Sequence, residues 1–312
     1  MPVAHRARRP LGRFHYPFPG QVSLPAERHG YTRPVSSQQI AANIAQINWT
    51  VLVALAVGSF AVVVLARVLT PATKGFLGFT AFCALGFGVL AYFSDTGMPP
   101  VSAGSPVTTD PAWDAPRQAA IVLFDVLAFV TVIVIARGGR AVVPGLLGLA
   151  AGTAVLLFGA LTWGDGATGA IPLGVQLVAL AAATGGVFAA MILGHWYLVT
   201  PKLPEAPLVL LAKVLLSVVI VQVVLFWVWI ATGAGPADVT PFSSLTGPWA
   251  LFVWFRLIVG LIFPLIVCWA SVQTARTRSM ESATGLLYIN VGSIAAGTIL
   301  AAGLYFGAGL LV

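Results

Sequence analysis

The sequence predicts an all-α integral membrane protein, a bundle of eight transmembrane helices. Hydrophobic residues make up 59% of the 312 positions and charged residues only 8%, against about 25% charge in soluble domains. Mean hydropathy is +0.96. The apolar residues fall into eight separate runs, each long enough to cross the ~30 Å hydrocarbon layer. Backbone inside lipid has to satisfy its own hydrogen bonds, so runs of this length are helices.

The eight expected spans lie at about 47–69, 75–93, 118–136, 141–163, 171–194, 206–232, 248–272 and 282–311. Residues 1–46 form a basic arm rich in proline and glycine, and residues 47–312 the transmembrane domain. The arm lacks the apolar stretch of a signal peptide before Ile47. Its histidines, His5, His15 and His29, lack metal-ligand spacing, and no metal is expected. Cys83 and Cys268 lie in apolar runs without a Cys-x-x-Cys pair, as buried free thiols do.

Charge separates the two ends of the bundle. The odd-numbered loops hold Arg67, Lys74, Arg137, Arg140, Lys202, Arg276 and Arg278. The even-numbered loops hold Arg117 with Asp95, Asp110, Asp114, Asp165 and Asp238. Positive residues near helix ends mark the cytoplasmic side. The expected orientation in a bacterial-type cytoplasmic membrane is therefore odd loops inside and both termini outside. Arg6, Arg8, Arg9, Arg13, Arg28 and Arg33 oppose it, but the first four lie far from Ile47. The net charge of +7 is spread over helix ends and the arm, so it suits lipid headgroups or a partner subunit rather than nucleic acid.

The halves echo one another. "VLTPATKGF" after the first span matches "YLVTPKLPEA" after the fifth, aligning Thr70-Pro71 with Thr200-Pro201. Each half has a long even loop ending near a tryptophan ("DPAW", "GPW"), and each third span ends in a basic pair. Four spans is an even number, so the echo points to a parallel 4+4 repeat. Small residues recur every four positions: Gly148/Gly152, Ala181/Gly185/Ala189, Ser293/Gly297/Ala301 and Gly303/Gly307. Such faces let helices approach closely, within the chain or against other protein subunits.

Ionisable residues inside a membrane each need a reason. Asp125 and Arg256 fall at similar expected depths below the even-loop surface, and pairing would offset their burial. Lys213 can snorkel from the opposite end, where Glu281 suits the first turn of the last helix. His195 is the only histidine beyond the arm. In "GHWYLVTPKLP" it precedes Trp196 and Tyr197, residues typical of the membrane interface. It is either an interfacial anchor or a hydrogen-bonding contact for a quinone, with Trp196, Tyr197, Lys213, Glu281 and Tyr288 as companions in one leaflet. A bis-histidine haem within the chain is excluded, since it needs two core histidines. Gln176, Gln222 and Asn290 read as helix–helix hydrogen-bonding groups.

No phosphate-binding glycine loop, H-E-x-x-H zinc motif or serine-hydrolase context is present. Three function classes remain. The first is a membrane subunit of a larger complex, of electron-transfer type, with quinone contact near His195. The second is a small-solute or ion transporter using Asp125, Arg256 and Lys213. The third is a membrane-embedded enzyme.

Overall fold

The computed structural model describes residues 42–200 and 203–312. The basic arm, apart from its last five residues, lies outside the described residues, as do Pro201 and Lys202. Eight long apolar helices are present: α1 (Ile44–Leu69), α2 (Lys74–Thr96), α3 (Asp114–Ala136), α4 (Val142–Trp163), α5 (Gly166–Val199), α6 (Ala206–Thr232), α7 (Ala250–Arg276) and α8 (Met280–Ala308). The molecule is an all-α eight-helix membrane bundle.

Helix packing follows the same order in both halves. In the first, α1 packs on α2, α2 on α3, α3 on α4, and α4 returns to α1; α5 to α8 repeat this circuit. The halves join through α1 against α5, flanked by α4 on α5 and α8 on α1. The apolar windows of α1 and α5 are 61% and 78% buried, against 33% for α3 and α6, so α1 and α5 are the central helices.

Glycine makes the central crossing possible. A Cβ on Gly58 would fall 1.8 Å from the Ala181 carbonyl oxygen, and one on Gly185 would fall 2.1 Å from the Ser59 nitrogen. Neither separation tolerates a side chain, so the two backbones touch. Elsewhere Gly148 and Gly152 of α4 receive Phe60 and Val57 of α1, and Gly297 of α8 meets Gly260 of α7. These small-residue positions pack within the chain.

Three helix starts fall three or more residues before the expected ones: those of α1 and α3, and that of α5, at Gly166 rather than about 171. Helix α1 begins at Ile44, three residues before Ile47. The polar residues at its start serve the fold: Asn43 Nδ2 donates to the Phe306 carbonyl, and Gln46 Nε2 to the Pro99 carbonyl. Helix α3 begins at Asp114 after a short turn, Pro111–Trp113, capped by the Asp110 side chain. An acidic or polar cap followed by proline is a helix-start signal. "DPAWD" therefore carries helix back four residues beyond the apolar run and brings Arg117 inside it.

Candidate functional site

The surroundings of His195 are set by how α5 meets its neighbours. This helix has 34 residues, so at 1.5 Å per residue it is about 51 Å long and overshoots the hydrocarbon layer. His195, near its end, is exposed. Gly194 lets α8 approach closely, its Cα direction facing the Thr284 side chain. Tyr288 lies one turn further along α8, and long side chains lean towards their own helix N-terminus. Its hydroxyl thereby reaches His195 Nδ1 at 3.2 Å. Trp196 points elsewhere, over Gly75 at the start of α2. Tyr197 is buried, and its hydroxyl donates to the Pro204 carbonyl, tying the α5–α6 connection to the helix.

Of the six residues expected to share a ligand pocket, the structure brings together only His195 and Tyr288. Glu281 is exposed in the first turn of α8. Lys213 lies on another face of the bundle. Successive helical residues project about 100° apart, so a sequence cluster such as His-Trp-Tyr cannot converge on one point. The ion pair crossing this end is instead Arg278 with Glu205, at 2.7 Å.

Lys213 borders a groove of about 860 Å³ open to the side of the bundle. Helices α4 and α6 form its walls and α5 its floor. Ala170, Gly174, Val178 and Ala182 recur every four residues along that floor, so one face of α5 is recessed. Lys213 is exposed and is the only charged residue in the lining among the described residues, with Ser217 and Thr153 supplying hydroxyls. A second cavity of about 430 Å³ shares Ala182, Val214 and Val218 with it and continues towards the odd-loop end, past Leu65, Val68 and Leu69 of α1 and Leu146 of α4. Both are almost wholly apolar. The small-residue face expected in α5, Ala181/Gly185/Ala189, is a different one: its Gly185 packs against α1.

Asp125 and Arg256 do not pair. Among the described residues the ion pairs are Arg117 with Asp95 and Asp114, and Arg278 with Glu205. The earlier start of α3 places Asp125 about 16 Å along its helix, while Arg256 is only about 9 Å along α7. The Asp125 carboxylate lies against Gly88 of α2, where a Cβ would fall 1.9 Å from Oδ1. Arg256 is buried against Gly260 and Gly297 at the α7/α8 contact.

A break in α7 explains Arg256. Residues Ile258–Ile262 form a π-helical turn, and the Phe263 N–H bonds Ile258, five residues back. The Val259 carbonyl thereby loses its ordinary donor. The Gly260 carbonyl has none, because residue 264 is proline. The Ser293 hydroxyl donates to Val259 and Arg256 Nη1 to Gly260, the latter at 3.2 Å. The arginine thus completes a helix interrupted by proline.

The most organised polar cluster was not anticipated. Arg117 bonds Asp95 through Nε to Oδ2 (2.7 Å) and Nη2 to Oδ1 (3.1 Å), and Nη1 reaches Thr162 Oγ1 at 2.6 Å. Gln118 also donates to Asp95. The guanidinium carbon lies 4.7 Å from the Trp163 ring centroid and 5.8 Å from that of Trp49. The Arg117 guanidinium and the Asp95 carboxylate find their partners inside the cluster, so it locks α2, α3 and α4 together. The amides act likewise: Gln222 donates to the Ala179 carbonyl, Gln176 accepts from Trp229, and Asn290 donates to Cys268.

Compared with protein-family models and with curated proteins, the chain shows no match. The class that its fold defines is an integral membrane protein.

Proposed function

We propose that this protein binds a long-chain amphiphile with a carbonyl-bearing head, of the quinone class, in the lateral groove between α4 and α6. The observation that carries this is a volume of about 860 Å³, within the size range of ligand sites, with Lys213 as its one charged residue. An apolar tail suits the walls, and the ammonium can donate to a carbonyl. Lys213 lies seven residues into α6, about 10 Å from the helix start. At that depth a neutral ring is cheaper to accommodate than a phosphate, whose desolvation costs far more.

The chain then acts as a membrane subunit presenting this ligand to an electron-carrying partner. The odd loops face the cytoplasm of a bacterial-type membrane, an orientation supported by their excess of arginine and lysine. Transport through Asp125 and Arg256 has less support: the two are not paired, and neither lines either large cavity.

Photolabelling of the full-length protein in nanodiscs with an azido-quinone tests the site. Wild type should be labelled on α4, α5 or α6, Lys213→Met should lower labelling about tenfold, and Ala182→Trp should block it. Labelling that survives both substitutions unchanged would rule out the groove. Purification with co-eluting subunits checks the partner, and a chain that elutes alone would remove the complex from the proposal.

A further inference from the structure

The odd-loop end of the first half carries a cluster of cations that the groove does not use. Arg67 closes α1, Lys74 opens α2, and Arg137 and Arg140 bracket the "RGGR" connection between α3 and α4. Arg67 and Lys74 both reach this connection from their helix ends. Arg67 Nε donates to the Arg140 carbonyl at 2.7 Å, holding this connection over the end of α1. Lys74 extends its ammonium over Gly138, to 3.3 Å from where a Cβ would stand. Gly138 has φ of +84°, a conformation open to glycine, so the turn is tight and the lysine can cross it.

Among the described residues, nothing acidic balances these four charges locally. The acids at this end of the bundle are Glu205 and Glu281, both in the second half, and Glu205 is engaged by Arg278. The corresponding basic pair of the second half, Arg276/Arg278, is thus partly neutralised, whereas the first-half cluster has no carboxylate partner among the described residues. The smaller apolar cavity begins beside it. Leu65, Val68 and Leu69 flank Arg67 on α1, and Leu146 follows Arg140 on α4. Arg67 itself borders a narrow crevice with Val68, Val142 and Gly145.

We infer that Arg67, Lys74, Arg137 and Arg140 hold the headgroup phosphate of an anionic phospholipid, whose acyl chains lie in the 430 Å³ cavity along α1 and α4. Guanidinium groups match phosphate through forked donors, and a polybasic cluster at the membrane surface attracts anionic headgroups. The adjoining apolar channel selects a lipid over a soluble anion. The cation cluster shares no residue with the Lys213 groove, and the two apolar cavities meet at Ala182, Val214 and Val218.

The test is lipid retention by the full-length protein. Delipidated protein is reconstituted in phosphatidylcholine nanodiscs containing phosphatidylglycerol, extracted in mild detergent, and examined by native mass spectrometry. Wild type should retain one phosphatidylglycerol in preference to phosphatidylcholine. Arg67→Gln with Arg140→Gln should weaken retention at least about tenfold, at roughly a few-fold per cation lost. Because Arg67 also holds the loop, Lys74→Gln with Arg137→Gln serves as a second variant that leaves its backbone contacts intact, and it should weaken retention similarly. Arg276→Gln should leave retention as in wild type. Equal retention of the two lipids, or unchanged retention in the Lys74/Arg137 variant, would overturn the assignment. Displacement by millimolar glycerol phosphate would also overturn it, since the site would then recognise a soluble anion.

Discussion

Arg117 offers the sharpest test of how the first four helices are held. Its side chain is 3% exposed and that of Asp95 is fully enclosed. Replacing Arg117 with methionine removes two bonds to Asp95, one to Thr162 and the contact with Trp163. The link to Asp114 counts for little, because that carboxylate is 43% exposed and surface pairs contribute under about 1 kcal/mol. Removing one partner of a buried pair costs about 3–5 kcal/mol. The lower end applies here, because Gln118 still donates to Asp95 and methionine refills part of the volume. About 3 kcal/mol corresponds to roughly a 150-fold loss in the folding equilibrium. Asp95→Leu should cost a similar amount. The double variant should cost about 1 kcal/mol, since a buried pair replaced by apolar groups is often neutral. Reversible unfolding in mixed micelles, followed by tryptophan fluorescence, measures all three. Single substitutions each costing under about 1 kcal/mol, or a double variant equal to their sum, would refute the picture of a mutually dependent pair.

Other outcomes follow from the same geometry. Arg256→Met leaves the Gly260 carbonyl without a donor and should cost about 1–3 kcal/mol; adding Pro264→Ala restores a backbone N–H and should recover much of it, measured by the same unfolding assay. Gly58→Val places a side chain against the α5 backbone and should abolish a monodisperse folded peak in size-exclusion chromatography, whereas Gly285→Ala, in open space, should not. His195→Gln loses one exposed hydrogen bond to Tyr288, so stability should change by under about 0.5 kcal/mol. Quinone labelling should also persist in that variant while Lys213→Met loses it; the opposite ranking would return the ligand to His195.

Some of this was legible in composition and period. The eight spans, their helical state and the echo between halves follow because lipid admits only long apolar helices and because spacing along a chain is a one-dimensional property. "DPAWD" even carried the correct start of α3, which the apolar run alone misplaced. Charge type was also readable, and it singled out Asp125, Arg256 and Lys213 as ionisable residues within apolar runs. Partnership was not. Asp125 and Arg256 share a zone in sequence terms, yet one faces Gly88 in the first half and the other completes a proline-broken turn in the second. Asp95 and Arg117 looked like loop charges and are a buried, tryptophan-flanked pair. His195, Trp196 and Tyr197 are neighbours in sequence and face three different elements. What the sequence determined by itself is the solvent and the number of helices. What only the tertiary structure decided is which faces meet, because that depends on the rotation of each helix and on glycines such as Gly58 and Gly185 that set how closely two backbones approach.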